Sequence, residues 1–566
     1  AFESVPQGSV SGPSPTLHHI HSYFKNSTTM RGAFLVLFTV LLRDVLAAND
    51  TLTDFLYTVA VVEYKPLRDT TLSEEDSVDL NAQEYIALLS TTQEDLELVL
   101  FPESTLGGST AAATEVPLPF TEVICNSTDT TYKNYLKRFS CAAIDYNTTV
   151  VVNIIERENC TSNNATGFCP SSGIIYYNSD VAFNSSGGVI GRYHKWNLFG
   201  EYGKSPPAEV ELVSITTKNN NTFGMFTCFD ILFAQPPLNL TRDLGLKNIL
   251  FPTMWFSELP FLTALQTQQM WAQENDVNFL SAGANNPQIG SGGTGIYVGK
   301  DGPLVQELIG GTGGSSIIVR SVPRPEVENN PYRNVTPIEE DTDSIALDMD
   351  SLYLITDPSI GEYTSLVLDT NRTTVVEEVC NGDNIRLCCE FNITISVNET
   401  VANTSGNQYT YHLTAFDGIR SYSGVRDGGI ESCGVLACLN DSITSCGHRF
   451  SNYSEIVWPI TFESITITAD FTTDENRIQF PNSLLASIRP VSPQYTEWSR
   501  EVYDNVTRRS ISLTRAQNRL LTFGIFGRDF SRDGELNPPG GKSVRLEHFT
   551  TAFLVCTGGI FIANFF

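Results

Sequence analysis

"NAQEYIALLSTTQEDLELVLFPEST" (81–105) reads as a helix that runs directly into a buried strand. Residues 81–97 carry apolar side chains at helical spacing, and 98–105 form an apolar run that ends in a charge. The apolar, β-branched run "FLYTVAVVEY" (55–64) precedes them and has the composition of another buried strand. Strand, helix and strand in this order predict an α/β sheet.

The same alternation of apolar strands and helices continues to about residue 325. A second helix is predicted across 258–277, and further apolar strands are predicted in "TTVVVNIIE" (148–156), "VIGRYHKWNLF" (189–199), "GMFTCFDILF" (224–233), "LKNILFPTMW" (246–255) and "NFLSAGA" (278–284). The polar, proline-rich stretch 324–344 is typical of a linker. Short alternating stretches follow, and they predict a mainly-β region over 345–535. We therefore expect an α/β domain over 49–325 and a β-rich domain over 326–541.

Length and charge limit the possible functions. A chain of 566 residues is too long for one ordinary core, which favours two domains. The formal charge of −29, from 64 acids against 35 bases, would repel nucleic acid and anionic membrane surfaces. We therefore expect neither of them as a partner.

Both ends of the chain carry targeting patterns. Arg31, the apolar run 33–42 and the small residues Ala47 and Ala48 predict a signal peptide over 30–48, with 1–29 a leader segment outside the natural protein. The alternative is that 33–42 is a buried element of a cytosolic fold. Small residues, a short polar spacer and an apolar end predict a glycosylphosphatidylinositol attachment signal over 542–566, which is removed. A transmembrane helix and a buried C-terminal strand are the alternatives.

Glycosylation sequons support a secreted or cell-surface protein. Downstream of Met30, Asn-x-Ser/Thr occurs sixteen times, which predicts a heavily glycosylated surface. These sites are Asn49, Asn126, Asn147, Asn159, Asn164, Asn184, Asn220, Asn239, Asn334, Asn371, Asn392, Asn398, Asn403, Asn440, Asn452 and Asn505.

The cysteines fall into two even clusters and leave one residue over. Of the twelve, Cys556 leaves with the C-terminal signal, four lie within 125–169 and six within 380–446. In an oxidising compartment we expect five disulfides within these clusters, with Cys388 and Cys389 bonded to different partners. Cys228 is then a free thiol. Zinc-type pairs of CxxC motifs are lacking in the sequence, so we expect no structural metal and no cofactor.

Two charged residues lie at the ends of apolar strands in the first domain. Glu103 ends "LVLFPEST", and Lys195 lies in "GRYHKWNLFGE". A charge at a strand end of an open α/β sheet points into the crevice where ligands bind. His194 is a possible base for Cys228, which leaves a papain-like Cys-His protease open as an alternative.

"FPES", "RYHKWNLFGE" and "FGMFTCFDILF" resemble segments of the nitrilase superfamily, whose fold is an α-β-β-α sandwich. With the stretch 248–298 added, the chain is most similar to the secreted vanin and biotinidase branch, amidases with a β-rich C-terminal domain. The resemblance covers roughly 52–320 well. It implies Glu103 as general base, Lys195 as transition-state stabiliser and Cys228 as nucleophile.

The resemblance also implies weaker assignments. Glu201 resembles an accessory glutamate, and Phe229 would line the substrate site. Trp255 comes soon after the strand that follows the nucleophile and would line the acyl site, although buried packing is the alternative. For Glu103 we expect a pKa raised toward neutrality by shelter at the strand end.

The implied activity is that of an amidohydrolase that cleaves a linear carboxamide through a cysteine thioester, with pantetheine converted to pantothenate and cysteamine. A biotin-amide hydrolase and a non-catalytic glycosylated binding protein are the alternatives. The only partners expected are a small amide and, through the lipid anchor, the cell-surface membrane.

Overall fold

The chain up to Pro323 forms two six-stranded β-sheets in this computed structural model, which describes residues 54–160, 169–338, 342–381 and 387–534. The strands of this part are β1 (Leu56–Glu63), β2 (Leu98–Leu100), β3 (Thr149–Asn159), β4 (Ile174–Phe183), β5 (Val189–His194), β6 (Ser214–Thr216), β7 (Thr222–Met225), β8 (Asn248–Thr253), β9 (Glu258–Leu259), β10 (Asn278–Gly283), β11 (Thr294–Val298), β12 (Pro303–Glu307) and β13 (Ser316–Pro323). Their orders are β13-β1-β2-β3-β4-β5 and β12-β11-β10-β8-β7-β6.

The two sheets pack face to face, with helices on the outside. Val59 and Val61 of β1 share a core with Leu250 of β8, whereas Ala60 and Val62 pack with the helices. The helices of this part are α1 (Glu74–Ser90), α2 (Asn134–Asp145) and α3 (Ala264–Asn275). Because successive strand residues face opposite ways, the continuously apolar strands are buried on both faces. The α-β-β-α sandwich implied by the sequence is confirmed.

Two helix boundaries differ from the prediction. The helix expected over 81–97 runs from Glu74 to Ser90, because Ser73 caps its first turn by accepting a hydrogen bond from the Asp76 N–H. The helix expected over 258–277 begins only at Ala264. Its first residues instead form β9, which pairs with a strand of the C-terminal region, so tertiary pairing overrides the local preference.

The second part of the chain is mainly β, as predicted, and its strands form a β-sandwich. It contains a helix α4 (Asp343–Asp348), a short helix α5 (Glu399–Ala402) and the strands β14 (Ile355–Thr356), β15 (Thr364–Val367), β16 (Thr374–Cys380), β17 (Cys388–Val397), β18 (Thr410–Tyr422), β19 (Arg426–Cys438), β20 (Ile460–Thr472), β21 (Arg477–Leu485), β22 (Thr496–Tyr503), β23 (Val506–Leu513) and β24 (Leu520–Asp529). Two antiparallel sheets, β15-β18-β19-β24-β21 and β16-β17-β20-β23-β22, share one apolar core.

The described residues from Tyr57 onward join the two parts into one compact unit. The strand β14 pairs with β9 of the first part. The fully buried Arg420 of β18 makes a two-pronged ion pair with Glu258, with Nη2 of the arginine 2.9 Å from Oε2 of the glutamate. The C-terminal sandwich therefore packs directly against the loops that carry the site described below.

All five expected disulfides form within the two clusters. The pairs are Cys125–Cys141, Cys160–Cys169, Cys380–Cys388, Cys389–Cys433 and Cys438–Cys446. Cys388 and Cys389 have different partners, as predicted, and Cys228 is the one free cysteine of the described residues. The Cys389–Cys433 bond joins β17 to β19 and so ties the two sheets of the sandwich together.

Several sequence-based predictions lie outside the described residues. These are the leader 1–29, the signal peptide 30–48, the attachment signal 542–566, Cys556, and the sequons at Asn49 and Asn164. Among the helices that the structure describes, none is both long enough and apolar enough to cross a membrane.

Candidate active site

Cys228 lies at a sharp turn between a strand and a short helix. The sequence predicted one strand over 224–233, but β7 ends at Met225 and a 3₁₀ helix runs from Cys228 to Leu232. Cys228 itself has φ +49°, a left-handed conformation that costs a non-glycine residue about 1–3 kcal/mol. The turn ends the strand and places the thiol just beyond the carboxyl end of β7.

Buried polar groups hold this turn in place. The Asp230 carboxylate accepts hydrogen bonds from the Thr227 N–H at 3.0 Å, the Tyr193 hydroxyl at 2.7 Å and the Asn197 N–H at 2.8 Å. The Thr227 hydroxyl donates to Asp180 at 2.6 Å. Burial raises the pKa of Asp180 to about 7 and that of Asp230 to about 6. Sequence reasoning missed this network, whose only local signal is polar residues inside apolar strands.

Glu103 and Lys195 come from two strands of the other sheet. Glu103 follows β2 and Lys195 follows β5, and each is at most 2% exposed. The Lys195 ammonium donates to Oε1 of Glu103 at 2.7 Å, and the Met254 N–H donates to its Oε2 at 2.9 Å. The strand-end positions in the sequence correctly predicted that these two charges meet.

The pKa expected for Glu103 is wrong in direction. Burial alone would raise it, but the positive charge and hydrogen bond of Lys195 outweigh burial and hold the pKa below its ordinary value. Burial would lower the pKa of Lys195, yet the carboxylates of Glu103 and Glu201 raise it well above its usual range. Both groups are therefore ionised in this structure, because each supplies the other's counter-charge.

Glu201 lies with this pair, as the sequence suggested. Its Oε1 is 2.5 Å from the Lys195 ammonium. Asn178, which sequence reasoning missed, bridges the two carboxylates by donating to Glu103 at 2.8 Å and to Glu201 at 3.2 Å. The Asn178 side-chain oxygen in turn accepts from Asn153 at 2.6 Å. A buried asparagine in the strand "IIYYNSDVAF" (174–183) was the available signal.

The Cys228 thiol lies within the electrostatic influence of both charges. Burial raises its pKa above the ordinary range, the Glu103 carboxylate raises it further, and Lys195 lowers it. The sulfur lies 3.6 Å from the Met254 carbonyl oxygen. A protonated thiol beside an ionised carboxylate is the arrangement that general-base activation of a cysteine requires.

His194 does not serve as the base. Its Nε2 is 3.1 Å from a Glu156 carboxylate oxygen, and its Nδ1 is 3.0 Å from one of Glu211. Burial opposes the charge, but these two hydrogen bonds raise the pKa of His194 to about 9. With both ring nitrogens engaged, the Cys-His alternative lacks a free acceptor for the Cys228 proton.

Two cavities meet at Cys228. The larger, of about 490 Å³, is lined by Glu103, Lys195, Glu201 and Cys228, together with the loop 66–72. The smaller, of about 50 Å³, is mostly apolar and is lined by Phe229 and Trp255, as the sequence suggested. The Trp255 indole also packs structurally, since its Nε1 donates to the Leu262 carbonyl at 2.9 Å.

Comparisons with known proteins match both parts of the chain. The carbon-nitrogen hydrolase family model matches residues 58–329, and the vanin C-terminal domain model matches 352–533. Vanin-like protein 1 of Drosophila melanogaster is 31% identical over 491 residues, covering 84% of this chain and 86% of that protein. The chain belongs to the vanin branch of the nitrilase superfamily.

Other relatives support the same family assignment. Vanin-like protein 3 of Drosophila melanogaster is 32% identical over 512 residues, 88% of this chain and 93% of that protein. The pantetheinase of Mus musculus is 30% identical over 406 residues, with 71% of each chain covered. Like others of this superfamily, this vanin-branch protein is a carbon-nitrogen hydrolase that acts on amides.

Proposed function

We propose that this enzyme hydrolyses pantetheine to pantothenate and cysteamine through a thioester on Cys228. The observation that carries the proposal is the arrangement around the one free cysteine of the described residues, with a buried glutamate and lysine acting on the same thiol. Relatives named pantetheinase, which match about 70% of the chain, support the choice of substrate.

The first half-reaction forms the thioester. Glu103 accepts the Cys228 thiol proton as the sulfur attacks the amide carbon, and the carbonyl oxygen gains the negative charge. The Lys195 ammonium and the backbone N–H of Phe229 stabilise that oxygen, and one such donor typically contributes about 10²–10³ in rate. The carbon–nitrogen bond then breaks as Glu103 returns the proton to nitrogen, and cysteamine leaves.

The second half-reaction releases the acid. Glu103, again a carboxylate, removes a proton from water, and the resulting hydroxide attacks the thioester carbon. The carbon–sulfur bond breaks, pantothenate forms, and the proton held by Glu103 returns to the Cys228 sulfur. One amide and one water become one acid and one amine, and a positioned base of this kind is typically worth about 10²–10⁴ in rate.

We further propose a glycosylated, cell-surface protein held by a lipid anchor. Fourteen of the sixteen sequons lie in described residues, and none of these asparagines is buried. Eleven are exposed, while Asn184, Asn239 and Asn452 are partly covered. Five disulfides support an oxidising compartment. Mass spectrometry of protein released from cells by a phosphatidylinositol-specific phospholipase tests both the anchor and the glycans.

The activity is tested by incubating purified protein with pantetheine, biocytin and simple amides, with Cys228→Ala as control. We expect cysteamine release from pantetheine, no release by the variant, and a trapped acyl-enzyme of pantothenoyl mass on rapid quenching. Faster hydrolysis of biocytin than of pantetheine would transfer the assignment to biotin amides. Hydrolysis that persists in Cys228→Ala would contradict the thioester.

A further inference from the structure

One buried asparagine joins the segment after β5 to the turn at Cys228. Asn197 lies two residues after Lys195 and is 2% exposed. Its backbone N–H donates to an Asp230 carboxylate oxygen at 2.8 Å, and its side-chain amide donates to the same oxygen at 2.9 Å. The other Asp230 oxygen accepts from the N–H of Thr227, the residue before Cys228. Asn197 therefore connects the surroundings of Lys195 to those of the thiol.

The C-terminal sandwich contacts this asparagine. Arg426, at the start of β19, donates from Nη1 to the side-chain oxygen of Asn197 at 2.7 Å. The Asn197 amide nitrogen donates to Asp230 and to the Gln235 carbonyl, so the orientation of the amide is fixed. Arg426 is exposed, but its guanidinium also lies over the Phe233 ring, 4.4 Å from the ring centre. A hydrogen bond and a cation–π contact thus hold this arginine against the catalytic part.

Other contacts from the sandwich reach the short helix 228–232. Arg528 of β24 is 1% exposed and donates from Nε to the carbonyl of Leu232, the last residue of this helix, at 2.9 Å. Tyr422, at the end of β18, packs edge-on against Phe229 with ring centroids 5.5 Å apart. The second part of the chain therefore anchors the helix on which the nucleophile lies.

Both reacting groups depend on the contacts of Asn197. Cys228 has φ +49°, a conformation that persists only where the surrounding structure holds it, and the hydrogen bond between Asp230 and Thr227 is part of that support. Lys195 lies on the segment that Asn197 fixes to Asp230. A displacement of about 1 Å in a catalytic group can cost about 10²-fold in rate. Loss of the contact with Asn197 would loosen both supports at once.

We propose that Arg426 is a positioning residue for amide hydrolysis and that it acts through Asn197 to hold Lys195 and Cys228 in place. Arg426 is not among the residues that line either cavity at Cys228, so its effect on the reaction is indirect. The C-terminal sandwich then contributes to catalysis as well as to stability. This inference rests on the proposed role of Cys228 as the nucleophile.

The test replaces Arg426 by methionine and by lysine. Methionine keeps an unbranched stem but loses the donor, whereas lysine can still donate to Asn197. In Arg426→Met we expect the rate of thioester formation, measured in a single turnover, to fall about 10- to 100-fold, with KM within about threefold of wild type. Arg426→Lys should recover most of the lost rate.

Alkylation of Cys228 by iodoacetamide is a second measurement that needs no substrate. Peptide mass spectrometry follows the labelling of this one cysteine as a function of pH. Lys195 lowers the pKa of the thiol, so a displaced Lys195 should slow alkylation at neutral pH and move its midpoint to higher pH. We expect alkylation at neutral pH to be at least about threefold slower in Arg426→Met. Arg426→Lys should behave like wild type.

Arg509→Met is the matched control at the interface between the two parts. Arg509 of β23 is buried, pairs with Glu274 of α3 and stacks on Trp498, and it lines neither cavity at Cys228. Its loss should lower the free energy of unfolding and leave the single-turnover rate and the alkylation of Cys228 unchanged. Equal losses of rate in Arg426→Met and Arg509→Met would overturn the inference, because they would indicate a general effect of domain packing.

A double-mutant cycle tests whether Arg426 acts through Asn197. Asn197→Ala removes the acceptor, so adding Arg426→Met to it should cause little further loss of rate, whereas independent effects would multiply. Denaturant unfolding checks that each variant is folded. Losses that multiply would show that Arg426 does not act through Asn197.

Failure of the proposed function gives a different pattern of results. If wild-type protein cleaves biocytin or a simple amide but not pantetheine, the substrate assignment is wrong, and the variants are compared on the amide that is cleaved. If Cys228→Ala still hydrolyses the amide, the thioester mechanism is wrong. If pantetheine is cleaved through Cys228 but Arg426→Met matches wild type in rate and in alkylation, the positioning role alone is wrong.

Discussion

Glu103 and Lys195 form a buried ion pair, with 2.7 Å between a carboxylate oxygen and the ammonium nitrogen. Removing two charges from water is costly unless each is compensated, and further hydrogen bonds from Asn178 and the Met254 N–H complete the compensation on the glutamate. The pair therefore keeps a base and a cation ionised side by side. That state suits a mechanism in which the Glu103 carboxylate accepts a proton and the Lys195 ammonium stabilises an oxyanion.

Replacing Asn178 by leucine should move the acid limb of the pH profile. Asn178 donates to Glu103 and helps to lower its pKa, so its loss raises that pKa and moves the limb of kcat/KM to higher pH. We also expect kcat to fall about 10- to 100-fold because the carboxylate is less well positioned. Asn81, buried at the same cavity but bonded elsewhere, is the matched control. If the acid limb of kcat/KM in Asn178→Leu stays at the wild-type pH, Asn178 does not position the Glu103 carboxylate.

Glu201→Gln should be a milder change than Glu103→Gln. Glu201 holds the Lys195 ammonium at 2.5 Å, but Glu103 holds it as well. We expect loss of the base at Glu103 to reduce kcat by about 10²–10⁴, and loss of the second carboxylate by roughly tenfold. Single-turnover measurement of thioester formation distinguishes them. Equal losses in both variants would indicate that Glu201 takes part in proton transfer.

His194 should make stability depend on pH between neutral and alkaline values. Its pKa is raised from 6.5 to about 9, so its stabilising contribution is complete below pH 6.5 and is lost as pH rises through about 9. The shift corresponds to a contribution on the order of 3 kcal/mol. Denaturant unfolding at pH 6 and pH 9.5 measures it. In His194→Gln this part of the pH dependence should disappear.

The Arg420–Glu258 pair predicts strong coupling between the two parts of the chain. Arg420→Met leaves the mostly covered Glu258 carboxylate without its cation, which should cost about 3–5 kcal/mol in the free energy of unfolding. The double variant Arg420→Met with Glu258→Met should be more stable than Arg420→Met alone, because the uncompensated Glu258 carboxylate is removed, while Asp357, 3.8 Å from Arg420, loses its cation in both variants. Additive losses in this double-mutant cycle would show that the two side chains do not interact.

Much of the fold and the site could be predicted from the sequence. Apolar strands separated by an amphipathic helix indicated the α/β sheets, and the even cysteine clusters indicated Cys228 as the free thiol. The positions of Glu103 and Lys195 at strand ends correctly predicted that these two charges lie together. The break at Cys228 was missed because "GMFTCFDILF" is apolar apart from Thr227 and Asp230, and the turn depends on hydrogen bonds of Thr227 to Asp230 and to the distant Asp180.

The sequence by itself determined the fold class, the disulfide clusters and the residues able to do the chemistry, because these depend on local patterns and on residue counts. Only the tertiary structure decided the direction of the Glu103 pKa, the engagement of His194 by two glutamates, and the presence of Tyr422 beside the nucleophile. Each of these depends on distances between groups far apart in the chain. Burial and Coulombic interaction are set by those distances, and local patterns carry no information about them.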